Sequence, residues 1–595
     1  MDGRRVWCVT LAWLLAGLLA AGCGKEPVHE GRPLREWIAD LRWQEPEVRY
    51  QALEALGKMG GSAKRAVPDI LYLIEVEKDW RLKEAGAATL VQMGAVAVPE
   101  LIGALESRKS HVRQLAARSL GGIGEDAAEG AEPLLETLKD KERRVRAAAA
   151  KALGDIGGPA LSDKTLGALA ETLSDKDPAT RYNAAGSLLK FGPRAEPATG
   201  ALIAALADVH GLVGQRAAEV LGQIGRPAIP ALTGALKHKS ASARSLAFEV
   251  LVKMGPAALD AFEQALTGSD RYLRVMAASA LARLGPVSAP ALPSLVAALK
   301  DDDIRVRSNV AVALVRIGEP AVSGVIPALK DGAAPELAGS ILARIGAPGV
   351  PGLAKALSGA DGAVQLRLLQ VLKRLGPASA PAAPALAKVL GGSDTKVGIT
   401  AIETLGAIGP AARAALPALV KQLGGKNVAL AEAAGTAVVR IGAEGAGLVA
   451  RLLVHGKKEV QERAEMVLEL IGPAAGPALR DTLIAGNAEL RGRVLVVLEK
   501  IGPEMSGMLV ELQGHEEETL RQLAAGLLVR FGRGALPDLI RALGHKDATV
   551  RARAGLILKE IGAVAVPRLK AALHVLELKD AAAKLLKEMG ESVEP

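Results

Sequence analysis

Aromatic residues are scarce in this sequence: Phe, Tyr and Trp make up 2% of its 595 residues, although half of the residues are hydrophobic. A single large core normally uses more aromatic side chains, because each of them buries a large area. Here Ala, Leu, Val and Gly supply the apolar surface, and no long Ser/Pro-rich linker separates domains. The composition therefore disfavours one large globular core and favours closely packed elements that repeat.

Cysteine is nearly absent, since Cys8 and Cys23 are the only two in the chain. The segment around them is typical of an export signal: residues 4–5 are basic, residues 6–19 are apolar and residues 20–22 are small. Because removal of such a signal leaves a single cysteine, the mature chain has no disulfide framework to build.

The run Leu19-Ala20-Ala21-Gly22-Cys23 resembles the lipobox of bacterial lipoproteins, in which the cysteine is lipidated and becomes the mature N-terminus. The resemblance implies a signal peptide over residues 1–22 and a lipidated N-terminal tether over residues 23–32. It also implies an exported protein of the bacterial cell envelope, attached to an unspecified membrane through lipid on Cys23. An uncleaved N-terminal anchor is the alternative, because residues 6–24 are uncharged and of borderline length for a span. No later stretch reaches that length without a charge, so the rest of the chain is expected to be soluble.

The chain also lacks a strong excess of either charge, with 74 basic and 65 acidic residues and a formal net charge of +9. Nucleic-acid-binding proteins usually concentrate basic residues on one face, and those that bind single strands stack bases on aromatic side chains. A mild charge excess, few aromatics and an export signal therefore disfavour nucleic acid as the partner.

What the sequence does have is a repeat, in which an apolar residue followed by glycine recurs with a period of about 31 residues. Leu stands four residues before the glycine in every copy except the one that holds Val438. Further small or apolar residues stand eight and twelve residues before it, which places all of them on one face of a helix of about four turns. The repeat glycines are Gly60, Gly94, Gly124, Gly157, Gly192, Gly225, Gly255, Gly285, Gly318, Gly346, Gly376, Gly409, Gly442, Gly472, Gly502, Gly532, Gly562 and Gly590.

Each repeat glycine is expected to end a longer helix in a left-handed conformation, because glycine has no Cβ penalty there. A shorter helix should follow, often opened by proline, which is tolerated in a first turn. These prolines are Pro99, Pro197, Pro230, Pro351, Pro537 and Pro567. Such helix pairs cannot bury their apolar faces alone, so they stack. We therefore predict an all-α fold, a right-handed α-solenoid of about 18 helix pairs over residues 33–595.

The arrangement Pro-Ala-Leu…Leu-x-Asp…Val-Arg…Ala-x-x-x-Leu-x-x-Ile-Gly is clearest in residues 293–318 and 537–562. It resembles HEAT repeats, particularly the bilin-lyase-like subclass, and the resemblance covers roughly residues 33–590. It implies a solenoid that serves as a binding scaffold. It carries over no activity, because no catalytic residue of that family can be matched here.

Two polar positions accompany the repeat, an acidic residue 15 positions before the glycine and an arginine 11 positions before it. The Asp is expected to cap the longer helix, and the Arg to bond to that Asp or to the Asp of the neighbouring repeat. The aspartates are Asp79, Asp177, Asp270, Asp303, Asp331, Asp361, Asp394 and Asp547, with Glu45, Glu142 and Glu517 in other copies. The arginines are Arg49, Arg113, Arg146, Arg181, Arg244, Arg274, Arg307, Arg491, Arg521 and Arg551.

Histidine, the usual catalytic and metal-binding residue, occurs only eight times. Four of the histidines share one position of the repeat, about 10 Å apart in a stack, which is too far for zinc ligands that lie about 2 Å from the metal. In HEAT-like hydroxylases several His-Glu pairs hold iron, and only His515-Glu516 matches such a pair here. We therefore expect no catalytic residue, metal or cofactor. A HEAT-repeat enzyme or accessory subunit of lyase or hydroxylase type is the alternative. The four histidines are His238, His455, His515 and His545.

A basic residue stands two positions before the glycine in ten copies, five of them consecutive. A cation there can simply stabilise the helix C-terminus. Stacked in a row, five cations can also bind an acidic protein, an anionic polysaccharide or a lipid surface. We therefore expect a non-enzymatic protein-interaction scaffold that binds an unidentified partner along the concave row of longer helices, and an anion- or nucleic-acid-binding solenoid is the alternative. The five residues of this basic row are Lys253, Arg283, Arg316, Arg344 and Arg374.

Overall fold

A computed structural model of the chain describes residues 26–157, 162–330 and 334–593. The predicted signal peptide and the lipidation position Cys23 lie outside these residues. The described chain is all-α apart from one small hairpin, and the predicted fold class, an all-α solenoid of helix pairs, is confirmed. The chain divides into two compact units, Met1–Val287 and Ser288–Pro595.

In the described residues of the first unit eight helix pairs follow one another. The shorter helices are Leu34–Asp40, Val67–Val76, Val98–Ala104, Ala131–Thr137, Asp163–Thr172, Thr199–Ala205, Ile229–Ala235 and Leu259–Thr267. The longer helices are Pro46–Met59, Trp80–Met93, Ser110–Ile123, Arg143–Ile156, Pro178–Phe191, Gly211–Ile224, Ala241–Lys253 and Arg271–Leu284. Longer helices pack against longer helices and shorter against shorter, so the pairs form two layers.

The second unit holds ten helix pairs in its described residues, arranged in the same two layers. The shorter helices are Leu292–Ala297, Val322–Val325, Val350–Leu357, Ala383–Val389, Leu416–Leu423, Ala446–Ala450, Gly476–Ala485, Ser506–Glu511, Leu536–Ala542 and Val566–Ala572. The longer helices are Ile304–Ile317, Pro335–Ile345, Gly362–Leu375, Thr395–Ile408, Val428–Ile441, Lys458–Ile471, Ala488–Ile501, Glu518–Phe531, Ala548–Ile561 and Lys579–Glu588.

All eighteen repeat glycines have positive φ, as predicted. Their ψ differs from the prediction: Gly318 has φ 80° and ψ −137°, whereas a left-handed helical residue has positive ψ. This region of backbone space is nearly closed to residues that have a Cβ, so glycine is more strictly required than at an ordinary helix end.

Short 3-10 segments, which the sequence pattern did not predict, join most longer helices to the next shorter one. They are Gly60–Ala66, Gly94–Ala97, Gly124–Gly130, Gly192–Ala198, Arg226–Ala228, Gly255–Ala258, Gly285–Ala291, Glu319–Ala321, Ala347–Gly349, Gly376–Ala382, Gly409–Ala415, Ala443–Gly445, Gly472–Ala475, Pro503–Met505, Gly532–Gly534 and Gly562–Ala565. Four more extend shorter helices: Ala298–Lys300, Ile326–Leu329, Arg451–Val454 and Leu512–Gly514. Five of the six predicted prolines do open α-helices, but Pro197 lies inside its 3-10 segment, and the α-helix begins at Thr199.

The core lies between the two layers and follows the predicted helical spacing. In the longer helix Ile304–Ile317, Val306, Val310 and Leu314 are fully buried and Ile317 is 6% exposed. These residues stand 12, 8, 4 and 1 positions before Gly318. Burying such side chains stabilises the stack by about 1.5–3 kcal/mol each relative to leaving them in water.

Residues before the first helix also fold. Val28–His29 and Arg32–Pro33 form an antiparallel two-stranded hairpin, in which Val28 pairs with Pro33. The hairpin is followed directly by the helix Leu34–Asp40. This part of the predicted tether therefore belongs to the folded structure.

Two continuous helical stretches, Trp80–Ala104 and Arg271–Lys300, are long and apolar enough to cross a membrane by length and composition. A bent pair, Pro335–Ile345 with Ala347–Leu357, would be a third. In each of the two continuous stretches 44% of the apolar window is buried inside the protein, and a positive-φ repeat glycine interrupts it. They are helix pairs of the repeat stack.

Candidate functional site

Each longer helix has one face that no other helix covers, made by the residues 10, 6 and 2 positions before the repeat glycine. The helix Lys458–Ile471 shows the division: Ala464 and Leu468 are buried, whereas Met466 and Leu470 are 59% and 63% exposed. Because longer helices of successive repeats pack side by side, these faces line up within each unit. We call the aligned surface the open face.

The predicted basic row lies on the open face but is divided between the two units, with Lys253 and Arg283 in the first. Arg283 donates two hydrogen bonds to the Glu249 carboxylate, at 2.6 and 3.0 Å, and its guanidinium lies 5.4 Å from the Phe248 ring centre. The hydrogen bonds from Arg283 hold the pKa of Glu249 below its ordinary value, although burial acts in the opposite direction. Lys253 is exposed near the same carboxylate. Glu249 therefore compensates much of the positive charge here.

In the second unit Arg316, Arg344 and Arg374 are exposed on three longer helices that pack side by side. Arg344 and Arg374 form no ion pair with the residues that the structure describes. The neighbour of Arg374, Lys373, is 2.8 Å from the Glu403 carboxylate. The proposed binding of an anionic partner by the row stays a prediction, and these two arginines are its best placed members.

In other copies the equivalent cation joins neighbouring repeats. Lys190 bonds to Asp155 at 2.6 Å, and Arg530 bonds to Glu499 at 2.8 Å. Exposed ion pairs of this kind contribute about 0–1 kcal/mol each. The cation at this position therefore has a structural role in several repeats.

Sequence reasoning missed a stripe of exposed apolar residues on the open face of the second unit. Met466, Val496 and Leu556 stand six positions before their glycines and are 59%, 43% and 62% exposed. Leu470 and Leu523 add further exposed apolar area on the same run of four adjacent helices. We call these five residues the apolar stripe.

A signal for the apolar stripe was present in the sequence. Most other copies have a small or polar residue six positions before the glycine, such as Glu54, Ala88, Arg118, Lys151 and Glu249. The apolar residues in three of the last repeats depart from that pattern. These positions lie on the same helices as the core positions, whose apolar pattern is stronger because it recurs in every repeat.

The charged residues beside the apolar stripe are paired with one another. Lys500 bonds to Glu469 at 2.7 Å and to Glu465 at 2.9 Å, and Arg493 lies 3.7 Å from Glu465. Arg553 bonds to Glu518. The stripe is therefore flanked by side chains whose charges are largely satisfied, and its apolar groups are the unpartnered feature.

The open face of the first unit carries two grooves instead of an apolar stripe. One, of about 440 Å³, runs over the longer helices between residues 80 and 191 and has Arg118, Arg144 and Lys151 along its sides. The other groove, of about 700 Å³, lies over the longer helices between residues 189 and 254 and has Glu219, Glu249 and Lys253 in its lining. Both grooves are lined by small residues and by charged residues of adjacent longer helices.

Five arginines that stand 11 positions before a repeat glycine pair with a carboxylate of the next repeat. Arg491 pairs with Glu517 at 2.9 Å, which is the predicted position, whereas the other four form a ladder with a different carboxylate. Arg113 bonds to Asp140 at 2.6 and 2.9 Å, and its guanidinium also donates to the Ser107 carbonyl at 2.8 Å. Asp140 stands 17 positions before its glycine, not 15. The pairs Arg49–Glu77, Arg146–Asp175 and Arg181–Asp208 repeat this arrangement.

Burial and hydrogen bonding act in opposite directions on the pKa values of the ladder carboxylates. Burial acts to raise the pKa of Asp140, but hydrogen bonds from Arg113 and from the Glu142 backbone N–H outweigh it. The pKa of Asp140 therefore lies below its ordinary value. The pKa values of Asp175 and Asp208 are lowered for the same reasons.

The predicted capping of the longer helices by aspartate is confirmed at the described positions. Asp79, Asp303 and Asp547 each accept a backbone N–H of the first helical turn, and the other described aspartates of the set do the same. Glu45 and Glu142 occupy the same place without a capping bond, as does Glu517, because the longer side chain does not reach the turn as well. Asp331 lies outside the described residues.

The four histidines of the shared position hold turns. The Nδ1 of His238 accepts the backbone N–H of Ser240 at 3.0 Å, and His455, His515 and His545 make the equivalent bond. In another repeat Asp140 accepts the N–H of Glu142 in the same way. Within the described ranges no group of three or more His, Cys, Asp or Glu side chains is arranged to hold a metal ion.

Several solved structures are similar to this chain. Among solved structures, Kap121p is 12% identical with a TM-score of 0.38, and the match covers 93% of this chain and 79% of that chain. Importin beta is 12% identical with a TM-score of 0.33, covering 94% and 96% respectively. At these values neither likeness carries an argument about function. No curated protein matches the sequence.

The family comparison is direct. The family described as HEAT repeats matches residues 98–164, 131–210, 199–282, 259–343 and 350–439, more than half of the chain. The PBS lyase HEAT-like repeat matches residues 48–71. With its stacked helix pairs, glycine-closed longer helices and repeated Arg–Asp ladder, this chain belongs to the HEAT-repeat family.

Proposed function

We propose that the protein is a non-enzymatic interaction scaffold of the bacterial cell envelope, tethered by lipid on Cys23, which binds a protein partner on its open face. The observation that carries the proposal is the apolar stripe of the second unit. Three of its side chains, Met466, Leu470 and Leu556, are about 60% exposed. Exposed apolar surface that is contiguous marks an interaction site, because burying it against a partner removes it from water and lowers the free energy.

The stripe indicates the chemistry of the partner. Four adjacent helices at about 8–10 Å spacing extend over about 30 Å. An amphipathic helix of about 20 residues has that length and presents one continuous apolar face. Because the flanking charges are already paired, the stripe favours apolar contact over binding of an anion or a nucleic acid.

The basic row supports a second contact of a different kind. Arg344 and Arg374 are exposed, and they make no ion pair in the described parts of the chain. An acidic segment of the same or another partner would satisfy both charges. Binding there should weaken with added salt, which screens exposed charges.

The non-enzymatic part of the proposal rests on what the polar side chains already do. The ladder arginines and their carboxylates bond to each other, and the shared histidines bond to turns. Their repetition along the stack is typical of structural positions. Catalysis requires a constellation that differs from its neighbours.

Partner recovery from an envelope extract tests this proposal. Replacing Met466, Val496 and Leu556 by Ser should reduce recovery at least severalfold, because each exposed apolar group buried at an interface contributes about 1 kcal/mol or more. The loss should persist at high salt. Replacing Arg344 and Arg374 by Gln should instead remove a salt-sensitive component.

The matched control is Val428→Ser with Ile304→Ser. These side chains are 60% and 67% exposed, but they lie at helix starts, outside the stripe. They should leave recovery unchanged. Equal recovery with the stripe variant and the control would refute the stripe as the binding site, and circular dichroism would confirm that each variant is folded.

A further inference from the structure

Exposed aromatic side chains are concentrated at the N-terminal end of the fold. Trp43, Tyr50, Tyr72 and Trp80 are 57%, 49%, 56% and 67% exposed. Among the other aromatic residues of the described chain, only Tyr272 is similarly exposed, at 44%. In a sequence so poor in aromatics, this clustering within 38 positions (43–80) requires a physical explanation.

Two of these rings line one groove of about 750 Å³ between the turn after the first helix and the helix Val67–Val76. Trp43 and Tyr72 lie there with Val76, which is 48% exposed. Arg42 and Lys78 supply positive charge at the edges, and Arg42 bonds to Asp69 at 2.8 Å. We call it the aromatic groove. Its lining also includes two carboxylates, Asp69 and Glu77, which are paired with Arg42 and Arg49.

The turn that carries Trp43 is fixed. The Arg49 guanidinium donates to the carbonyls of Trp43 and Gln44, at 2.6 and 2.8 Å, and also pairs with Glu77 at 3.0 Å. Arg49 and Glu77 are 14% and 10% exposed, so this bond network is sheltered from water. The indole ring is therefore held at the surface by a built turn.

The described residues also include positions close in sequence to the lipidation position. The Glu26 carboxylate accepts the Arg35 backbone N–H at 2.9 Å and its guanidinium at 3.2 Å. The Leu34 N–H donates to the Pro27 carbonyl at 2.9 Å. Glu26 follows Cys23 by three positions, and three residues extend at most about 11 Å. A lipid on Cys23 would thus hold the first repeat directly at the membrane surface.

We propose that the aromatic groove sits in the headgroup layer of the membrane that anchors Cys23, where Trp43 and Tyr72 act as a second, non-covalent attachment. The proposal rests on the proposed lipidation of Cys23. Trp and Tyr have apolar rings with one polar atom, which suits the boundary between acyl chains and headgroups. Lys78, which is exposed at the edge of the groove, suits anionic headgroups. Two attachments fix the orientation of the first repeats, whereas a lipid alone leaves them free to rotate.

Tryptophan fluorescence of the full processed chain in vesicles tests this inference. Loss of residues 1–22 leaves three tryptophans, of which Trp37 is only 6% exposed. The substitution Trp80→Phe makes Trp43 the exposed reporter. In vesicles of phosphatidylethanolamine and phosphatidylglycerol, its emission should shift to shorter wavelength, and brominated lipids of the same headgroups should quench it.

A matched reporter elsewhere in the same unit provides the control. Tyr272→Trp, in a chain that also carries Trp43→Phe and Trp80→Phe, places an exposed indole at a position remote from the N-terminus in sequence. Its emission should not respond to brominated lipids. Tyr72→Ser with Val76→Ser, in the Trp80→Phe chain, should shift Trp43 emission back toward longer wavelength while the lipid anchor remains.

The outcomes separate the groove from the tether. The mass of the N-terminal peptide shows whether Cys23 carries a diacylglyceryl group, and Cys23→Ala should retain residues 1–22. If the lipid is present and Trp43 is unquenched, the groove proposal is overturned. If the lipid is absent, the tether fails, and quenching of Trp43 by added vesicles decides the groove alone. A shift of Trp43 emission with envelope protein and not with vesicles would assign the groove to a protein instead.

Discussion

At the scale of single residues, the repeat glycines carry a strict conformational requirement. Gly318 has φ 80° and ψ −137°, and a Cβ built on it would meet no atom within 4 Å. Any cost of substitution there comes from the backbone and not from a clash. The glycine is therefore present for its conformation, which ends the longer helix and turns the chain toward the shorter one.

Gly318→Ala should lower the free energy of unfolding by about 1–3 kcal/mol, because alanine is strained in this region. The matched substitution is Gly186→Ala, in the interior of the helix Pro178–Phe191, where a Cβ also meets nothing within 4 Å. It should stabilise by about 0.5–1 kcal/mol, since alanine favours helix. Urea denaturation measures both, and a shared sign would contradict the conformational explanation.

The Arg–Asp ladder predicts a pH dependence of stability. The pKa of Asp140 is lowered in the folded chain, so its contribution is fully present above the unfolded pKa of about 3.9. The contribution is lost as the pH falls through the lower folded pKa. Asp140→Asn should cost about 2 kcal/mol at neutral pH. It should also reduce the loss of stability between pH 4 and the acid limit, which denaturation at several pH values would measure.

Asp126→Asn makes the same chemical change at an exposed carboxylate. It should alter stability at neutral pH by less than about 0.5 kcal/mol. If the two variants lost equal stability, the ladder would not be the cause of the effect. The measurement therefore separates a paired carboxylate from a solvated one.

At the scale of elements, repeats differ in how regular their helices are. The helix Pro335–Ile345 has 11 residues where most longer helices have 14. The turns before the helices Thr395–Ile408 and Val428–Ile441 contain glycine pairs at 391–392 and 424–425. Glycine increases the conformational freedom of the unfolded turn and so weakens the helix that follows.

We expect a local minimum of stability around residues 331–427, bordered by two stiffer segments. Amide hydrogen exchange should be faster in Pro335–Ile345 than in Arg143–Ile156, a full-length helix whose repeat belongs to the Arg–Asp ladder. Uniform protection along the stack would contradict this expectation. The boundary between the two compact units lies elsewhere, between Val287 and Ser288. The expected minimum of stability is therefore not a consequence of that boundary.

The ends and the buried faces of the longer helices could be predicted from the sequence, because each of these features depends on residues close together in the chain. The glycine before each turn, the Asp that caps the longer helix and the buried positions at helical spacing each follow from backbone chemistry. The 3-10 segments could not, since they depend on how the chain crosses between two packed layers. Pro197 illustrates this, because its repeat spacing matches that of Pro99 although only Pro99 lies in the α-helix.

The partners of long side chains were harder to predict. Asp140 and Glu142 are both acidic and two residues apart, and only the stacking of repeats brings Asp140 to Arg113. The same limit applies to the candidate site. The basic row was visible as a pattern, but the pairing of Arg283 with Glu249 depends on a neighbouring helix. The only sequence signal for the apolar stripe was an apolar residue six positions before the glycine, where most other repeats have a small or polar one.

At the scale of the whole molecule, the described surface is differentiated along the chain. Exposed aromatics lie at residues 43–80, grooves with charged edges occupy the open face of the first unit, and the apolar stripe lies at residues 466–556. The proposed roles are attachment through the aromatic groove and protein binding through the apolar stripe. The two roles rest on separate residues, so each proposal can fail without the other.

Site-specific photo-crosslinking in cells tests the central claim, that the open face of the second unit binds a protein. A photoreactive residue at position 496 or 556 should cross-link one protein species. The same residue at position 428 or 564 should not, although Val428 and Val564 are 60% and 51% exposed. Cross-links of equal yield from all four positions, or only from 428 and 564, would contradict the claim.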